Sequence, residues 1–238
     1  SLPYRPNRRT RATVAREKGL EPLAVLIMDQ NENDPALKAE AFLNDDVATV
    51  EDALSGASDI IAEWISEDEK ARKQLRYLFE KEAVIYSKVV KGKETEGIKY
   101  SDYFDWSEPL KKCPSHRLLA MRRGEDEGFL HLSVEPVEEN ALDMLKSIFI
   151  KGKNASSDIV GIAVKDSWKR LLSSSMETEF RKISKEKADI EAIAVFAENL
   201  RQLLLGSPLG EKNVLAIDPG FRSGCKIVCL DKQGNLIH

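Results

Sequence analysis

Cysteine is scarce in this 238-residue chain, and long apolar runs are absent from it. The three cysteines, Cys113, Cys225 and Cys229, form no CxxC pair and no even-numbered framework, which argues against a disulfide-stabilised secreted domain. No apolar stretch reaches the roughly 20 residues that a membrane-spanning helix needs, and no secretory signal pattern is visible. We therefore expect a cytoplasmic globular protein with no membrane partner.

Metal-ligating patterns are also sparse. Cys113 and His116 have a CxxH spacing, but a zinc site needs a second pair of ligands, and the sequence offers no such pair. His131 lies inside the apolar stretch FLHLSV, which favours a packed histidine or one on an edge strand. The sequence therefore predicts no metal cluster and no cofactor.

The chain is long enough for two domains and carries a modest negative charge. It exceeds the common size of one domain, and 42% of its residues are hydrophobic and 32% charged, as in globular proteins. A net charge of -4 predicts no strong overall attraction to nucleic acid. The charges are unevenly distributed, however, so a local basic surface remains compatible with this total.

Positive charge is concentrated in the opening segment, YRPNRRTRATVAREKG. Six basic residues stand there against the single Glu17, namely Arg5, Arg8, Arg9, Arg11, Arg16 and Lys18. Guanidinium groups donate paired hydrogen bonds to phosphate, so the segment predicts an auxiliary, sequence-independent contact with RNA or DNA. The alternative is that these side chains pair with acidic residues further along the chain and orient a helix.

Helix-capping signals divide the first part of the chain into short helices. A small polar residue or a proline precedes each apolar-periodic segment, as is typical of helix starts. The signals are Thr10 before a helix ending near Gly19, Pro22, Asp34-Pro35, the pair Thr49 and Asp52, and the pair Ser66 and Glu69. Because the connections between these helices are short, antiparallel packing is expected.

The stretch from about Val89 to Leu110 has neither helical nor strand periodicity and is predicted to be a loop. Its four aromatic residues indicate that it docks on the helices. Ser115 begins a helix that Gly124 ends, and FLHLSVEP alternates like a short strand. VEENALDMLKSIFI and SDIVGIAVKDSWKRLL predict two further helices.

A long helix is predicted from Ser174, paired with Glu177 in a capping box, to Leu205. Apolar residues recur in it every seven positions, and they are denser in its second half. We therefore expect the second half of the helix to be packed against other elements and the first half to be more exposed to solvent. Gly206 and Pro208 end the helix, which places a domain boundary between a helical region, 1–206, and a final segment, 212–238.

The final segment contains two apolar runs joined by a turn, in VLAIDPGFRSGCKIVCLD. This pattern predicts a β-hairpin with Asp218 at the end of its first strand and with Cys225 and Cys229 as small core residues. An aspartate before Pro-Gly is most often a turn former, although a strand-end carboxylate is also suited to hold a divalent cation. Asp231 is expected roughly 20 Å from Asp218, at about 3.3 Å per strand residue, so the two cannot share a metal ion.

Five motifs carry a resemblance to a known family. IDPGFRSG resembles the first motif of the YqgF and Holliday-junction-resolvase branch of the RNase H-like fold. Four further stretches are similar to the bacterial transcription accessory proteins known as Tex: RPNRRTRATVAREKGLEPLA, KVVKGKETEGIKYSDYFDWSEPL, SHRLLAMRRGEDEGFL and METEFRKISKEKADIEAIAVFAENLRQLLL. The order of the motifs agrees with the family, and together they cover nearly the whole chain.

The resemblance implies a cytoplasmic, multi-domain, nucleic-acid-binding protein related to a eukaryotic transcription elongation factor. Its parts would be a helical N-terminal region with a helix-turn-helix-like part, a YqgF domain, helix-hairpin-helix repeats and an S1 RNA-binding domain. The chain reads as a piece of such a protein, because it opens on Ser1 and ends at His238 just after a turn signal. We therefore expect a mainly α fold, namely a multi-helix region with a long helix followed by a truncated β-hairpin of an RNase H-like α/β domain.

Asp218 matches the first carboxylate of the RNase H-like motif, and the resemblance implies that it is a vestige of a nuclease site. The expected function is a non-catalytic scaffold that positions nucleic-acid-binding modules, with the transcription machinery as a further partner. Two alternatives stay open: a metal-dependent nuclease whose other carboxylates lie outside this chain, and a pure protein-interaction scaffold. An actin-like ATPase is disfavoured, because Phe221 and Arg222 suit a tight phosphate-binding turn poorly.

Overall fold

The computed structural model describes residues 9–220 and 224–238. Arg5, Arg8, Phe221 and Arg222 therefore lie outside the described residues. The chain divides into two compact units, Ser1–Glu191 and Ala192–His238. The predicted mainly α class with a short β element is confirmed.

Nine α-helices occupy the described part of the chain, and several begin at the predicted residues. Thr10, Asp34 and Thr49 each accept a hydrogen bond from the backbone N–H three residues ahead, which satisfies an otherwise unpaired donor of the first turn. The helices are α1 (Arg11–Glu17), α2 (Glu21–Asp29), α3 (Pro35–Ala39), α4 (Val50–Glu67), α5 (Glu69–Glu82), α6 (Ser115–Asp126), α7 (Glu138–Phe149), α8 (Ala155–Ser167) and α9 (Ser173–Leu205).

The predicted start of α5 and the predicted end of α6 were wrong. Asp68, and not Ser66, caps α5 by accepting the N–H of Ala71 at 2.7 Å, while the Ser66 hydroxyl donates to the Glu63 carbonyl within α4. Gly124 does not end α6, which continues to Asp126. A Cβ at Gly124 would lie 2.6 Å from Cδ1 of Leu130, so this glycine serves close packing of the helix against a strand.

A three-stranded antiparallel sheet follows α5, with strand order β2-β1-β3. Its strands are β1 (Val84–Val89), β2 (Asp105–Pro109) and β3 (Leu130–Glu135). Strand β3 was predicted and alternates between buried and exposed residues, whereas the predicted loop contains β2, and β1 had not been anticipated. The aromatic residues of that stretch dock as expected, since Tyr100 is buried and its ring centroid lies 6.1 Å from that of Phe129.

The core of the first unit forms around α4, which contacts α1, α2, α3 and α8. Ile60, Ile61 and Ile65 lie on the buried side of α4 and have no solvent exposure. These side chains follow the helical period, so one stripe of α4 is covered by the neighbouring helices. The Ser167 hydroxyl of α8 donates to the Ala62 carbonyl at 2.7 Å, which joins the two helices inside the core.

A buried amide joins the end of α2 to the connection between α7 and α8. Gln30 is 6% exposed and has a left-handed backbone, with φ of 58°. Its Nε2 donates to the Phe149 carbonyl at 2.7 Å, and its Oε1 accepts from Lys151 N at 2.8 Å and from the Ser157 hydroxyl at 2.9 Å. All hydrogen-bonding capacity of the Oε1 atom is thereby used, and the three partners are fixed relative to α2.

Helix α9 continues from α8 without a break through a π-helical turn, Trp168–Leu172. The predicted cap at Ser174 was therefore wrong, because the backbone preceding it is already helical. The expected burial was reversed as well. Met176 and Phe180 in the first half are buried, whereas Ile193 is 66% exposed and Phe196 is 67% exposed.

The second unit contains the predicted hairpin, formed by β4 (Val214–Pro219) and β5 (Cys225–Leu230). The two strands are antiparallel, and Asp218 is opposite Lys226 while Val214 is opposite Leu230. The last residues add a single bridge between Leu230 and Leu236. Cys225 and Cys229 were predicted to be core residues, and this was wrong. Cys225 is exposed and Cys229 is half-buried.

Candidate nucleic-acid interface

The basic helix α1 lies on α4 through its small residues. Ala12 and Ala15 are buried, and their small side chains allow the two helices to approach closely. Gly56 of α4 also contributes, because a Cβ there would lie 2.3 Å from Cδ1 of Leu20. The packing therefore fixes which basic side chains of α1 point toward α4 and which remain exposed.

Arg16 points toward α4. Its Nη1 donates to Oε1 of Glu63 at 2.7 Å, and its Nε lies 3.6 Å from Oε1 of Glu21. The hydrogen bond with Glu63 raises the pKa of Arg16, and partial burial opposes this only in part. Thr10, the cap of α1, also donates to Glu63. Arg16 is thus used to hold α1 in place, as in the alternative interpretation of the basic segment.

The remaining described cations of the segment are more accessible. Arg9 is exposed and pairs with Glu17 at 2.9 Å, an exposed ion pair that contributes little to stability. Arg11 is exposed and Lys18 is half-buried. Neither of them has a carboxylate within 4.0 Å among residues 9–220 and 224–238. The structure therefore separates one anchoring arginine from three cations that remain accessible to a ligand.

A cleft of about 530 Å³ opens beside the start of α1 and brings Arg9 and Arg11 near Arg170 of the π-helical turn. Asp59 lies in the same cleft, and burial raises its pKa, while the charge of Arg170 opposes the shift. Arg170 forms a 2.8 Å ion pair with Asp166. The cleft thus combines arginines with carboxylates, and its charge is mixed.

The acidic partners of α1 were missed in the sequence, although a signal was present. Asp52, Asp59, Glu63 and Glu67 are spaced by seven, four and four residues, which places them on one face of α4. Such a stripe beside a basic helix favours pairing between the two. The spacing alone does not show which helix this acidic stripe faces.

Asp218 lies at the turn end of β4, and Lys226 is its partner across the hairpin. Directly opposed side chains of an antiparallel pair lie on the same face of the sheet, so Lys226 shares a face with Asp218, although the two form no ion pair within 4.0 Å. The turn itself is closed by a hydrogen bond from Gly220 N to the Gly224 carbonyl at 2.9 Å. Asp218 thus stands at the edge of a short hairpin.

Asp231 lies at the opposite end of the hairpin. Asp218 is four positions along β4 from Val214, a distance of about 13 Å, and Val214 pairs with the residue before Asp231. The Asp231 carboxylate accepts hydrogen bonds from the backbone N–H groups of Gln233 and Asn235, at 2.9 and 2.8 Å. The Asn235 side chain and these backbone donors lower the pKa of Asp231. Asp231 is therefore a turn-forming residue.

Asp218 and Asp231 lie at opposite ends of the hairpin, so the two carboxylates cannot hold one metal ion together, as expected from the sequence. No group of three or more potential ligands converges anywhere in the described ranges, Cys113 and His116 included. His131 is exposed on β3. None of the helices described by the structure is long and apolar enough to span a bilayer.

Comparison with known proteins gives one matching family model and several relatives that cover nearly the whole chain. The model of the family described as "Tex central region-like" matches residues 30–196. Protein tex of Bordetella pertussis is 39% identical over 252 residues, covering 99% of this chain and 32% of that protein. The transcriptional accessory protein Tex of Neisseria gonorrhoeae is 38% identical over 244 residues, covering 99% of this chain and 32% of that protein.

A human protein is a more distant relative over the same region. S1 RNA-binding domain-containing protein 1 of Homo sapiens is 28% identical over 262 residues, covering 100% of this chain and 25% of that protein. The chain spans about a third of the length of the bacterial relatives, at 32% of each. The family model covers well over half of the chain, and the chain therefore belongs to the Tex central region-like family.

Proposed function

We propose that this chain is a non-catalytic scaffold within a nucleic-acid-binding transcription accessory protein. Family membership supports the transcription-related role, since one relative is named a transcriptional accessory protein and another is named for an S1 RNA-binding domain. In this proposal β4 and β5 are the first strands of a YqgF-type, RNase H-like sheet. The helical unit carries a helix-turn-helix-like part. Binding modules elsewhere in the longer protein would supply most of the affinity.

The observation that carries the proposal is the way α1 is held. Arg16 is committed to Glu63 at 2.7 Å, and the α1 side chains facing α4 are small and buried. A basic helix fixed in this way presents Arg9 and Arg11 to solvent at its start. Two exposed arginines support a weak, sequence-independent contact with phosphate, as an addition to the scaffold.

Binding of duplex DNA at several salt concentrations tests this contact. For the unmodified chain, the logarithm of the binding constant should fall with the logarithm of salt concentration. Each phosphate contact contributes a slope of about -0.9, so Arg9→Ala/Arg11→Ala should reduce the slope by about 2. Arg16→Ala is the matched control, because it should lower stability and leave the slope almost unchanged. Equal slopes for the chain and the double variant would refute the contact.

A nuclease is the second candidate function, and Asp218 is the residue that favours it. In our proposal Asp218, which pairs with Lys226 across the hairpin, is a remnant of an ancestral nuclease site and has no catalytic role. Asp231 serves only to close its own turn. We expect the chain to leave branched and single-stranded DNA intact in magnesium or manganese. Metal-dependent cleavage that disappears in Asp218→Asn but persists in Asp231→Asn would establish the nuclease instead.

A further inference from the structure

Strand β3 forms one outer edge of the sheet in the first unit. The strand order is β2-β1-β3, so in the described part of the chain β3 pairs with β1 on one side only. Successive residues of an edge strand turn their backbone groups alternately toward and away from the paired strand. His131 and Ser133 turn toward β1, whereas Leu132 and Val134 turn outward. Outward backbone groups of this kind are a template on which a further strand can add.

Three side-chain hydrogen bonds occupy this edge. The Val134 N–H donates to Oε1 of Glu177 at 3.0 Å, and Nη1 of Arg181 donates to the Leu132 carbonyl at 3.1 Å. The Leu132 N–H donates to Oε1 of Glu125 at 3.3 Å. The side chains thus present an acceptor, a donor and an acceptor where a neighbouring strand would present its own carbonyl and N–H groups.

The spacing of residues on α9 explains this match. Glu177 and Arg181 are four residues apart, so they lie on one face of the helix and about 6 Å apart along its axis. Val134 and Leu132 are two residues apart, which is about 6.6 Å along a strand. Helix α9 therefore runs antiparallel to β3 here and places one side chain on each outward-turned residue.

The three side chains are held in position by one another and by the core. Arg181 also pairs with Glu125, and its Nη1 lies 3.9 Å from Oε1 of Glu177. All three are half-buried, and the residues that precede Glu177 and Arg181 on α9, Met176 and Phe180, are buried. A segment that pairs with β3 has to separate these charged groups from each other and from the backbone.

Side chains, and not the backbone of α9, cover the edge of β3. A groove of about 750 Å³ runs between the two elements, lined by Leu132 and Ser133 on one side and by residues between Ser174 and Asp189 on the other. Over that range α9 is about 22 Å long, close to the roughly 20 Å of an extended six-residue strand. The edge therefore has room for an extended segment once the side chains are withdrawn.

We propose that Glu125, Glu177 and Arg181 form an edge guard, which keeps β3 from adding an extended segment of a second copy of the chain. The segment that fits is β3 itself, because two identical antiparallel strands align their buried and exposed positions across the pair. Charged side chains at a sheet edge are a recurrent protection against such pairing. The edge guard belongs to the sheet of the first unit, so it is independent of the contact proposed for α1.

Amide hydrogen exchange followed by NMR tests the edge guard on the 238-residue chain. In Glu177→Ala the amide of Val134 should exchange at least about tenfold faster, because it loses its acceptor, while the amide of Leu132 keeps its own. The amides of His131 and Ser133 bond to β1 and should keep their rates. An unchanged rate at Val134, or an equal increase at all four amides, would overturn the proposal.

A fluorescein-labelled peptide with the sequence of residues 129–136, FLHLSVEP, tests whether the edge is closed. By anisotropy it should bind Glu177→Ala/Arg181→Ala at least about tenfold more tightly than the unmodified chain. Arg76→Ala/Glu179→Ala is the matched control, because it removes another arginine–glutamate pair that holds α9, at 2.6 Å, on α5. This control should bind the peptide no better than the unmodified chain does.

A second peptide, FLHPSVEP, separates backbone pairing from other binding. Its proline lacks the N–H that the second leucine of the first peptide contributes to pairing, so it should bind Glu177→Ala/Arg181→Ala at least about tenfold more weakly. The first peptide should also restore slow exchange at Val134 in that variant. Equal binding of the two peptides, equal binding of the first peptide to the variant and the unmodified chain, or exchange at Val134 that stays fast would each reject the edge guard.

Discussion

Replacement of Gln30 by alanine tests the claim that one buried amide holds α2 to the connection between α7 and α8. The substitution removes the three short hydrogen bonds of this side chain and leaves the Phe149 carbonyl, the Lys151 N–H and the Ser157 hydroxyl without this partner. Each buried unpaired group costs about 1–3 kcal/mol. Lys151 is exposed and can turn to water, so we expect a total loss of about 2–4 kcal/mol in the free energy of unfolding.

Urea unfolding followed by tryptophan fluorescence measures this loss in the first unit alone. All three tryptophans of the chain, Trp64, Trp106 and Trp168, lie in that unit. With a slope of about 2 kcal/mol per molar urea, the midpoint should fall by about 1–2 M. The slope itself should stay constant, because the surface exposed on unfolding is nearly unchanged.

Two matched variants separate the hydrogen bonds from other effects. Gln74→Ala removes a half-buried glutamine of α5 that makes no side-chain hydrogen bond in the described part of the chain, so it should shift stability by less than about 0.5 kcal/mol. Gln30→Gly removes the same three bonds but relieves the left-handed backbone, whose cost is about 1 kcal/mol, and should be less harmful than Gln30→Ala. If Gln30→Ala matches Gln74→Ala, the reasoning about buried partners is wrong.

Three further predictions concern packing, thiol chemistry and the long helix. Gly56→Ala should lower stability by about 1–2 kcal/mol, because the new Cβ would lie 2.3 Å from a side-chain carbon of the buried Leu20. Burial and the neighbouring carboxylate of Glu108 raise the pKa of Cys113 to about 12, so its thiolate fraction at pH 8, and its rate with Ellman's reagent, should be about a thousandfold below that of an ordinary thiol. Ile193→Ser should change stability by less than about 0.5 kcal/mol, whereas Met176→Ser should cost about 2–4 kcal/mol.

Controls for these three predictions are available within the chain. Gly161→Ala, at a helical glycine where the new Cβ would meet Ile150 at an ordinary 3.5 Å, should stabilise by up to about 1 kcal/mol, opposite to Gly56→Ala. Rapid labelling of Cys113 in the folded chain, at the rate seen after unfolding in urea, would contradict its assigned environment. A large loss in Ile193→Ser would show that the second half of α9 is packed, as the heptad pattern had suggested.

Local chemistry explains the parts of the fold that could be predicted. A capping side chain bonds to a backbone N–H three residues away, so Thr10, Asp34 and Thr49 reveal their role within a few positions. The family motifs work in a similar way, since they are read directly as residue patterns. Where two local signals competed, as at Ser66 and Asp68, the sequence did not decide between them.

Strands β1 and β2 escaped prediction because their stability comes from each other and from β3. Val84 to Val89 continues directly from α5, and Asp105 to Pro109 contains Trp106 as its one large apolar residue, so neither segment has a strong strand pattern alone. Pairing of Ile85 with both Glu108 and Val134 supplies the missing stabilisation. A contact between residues more than twenty positions apart is invisible to periodicity.

The sequence by itself determined the starts of α1, α3 and α4, the hairpin and the family, because each depends on residues that are close in the chain or on ordered motifs. Only the tertiary structure decided that Arg16 anchors α1 to Glu63 while Arg9 and Arg11 stay exposed, and that α9 is buried at Met176 and exposed at Ile193. Periodicity shows that a helix has an apolar face, but burial depends on whether another element lies against that face. Charge likewise becomes an anchor or a binding surface only through what stands opposite it in space.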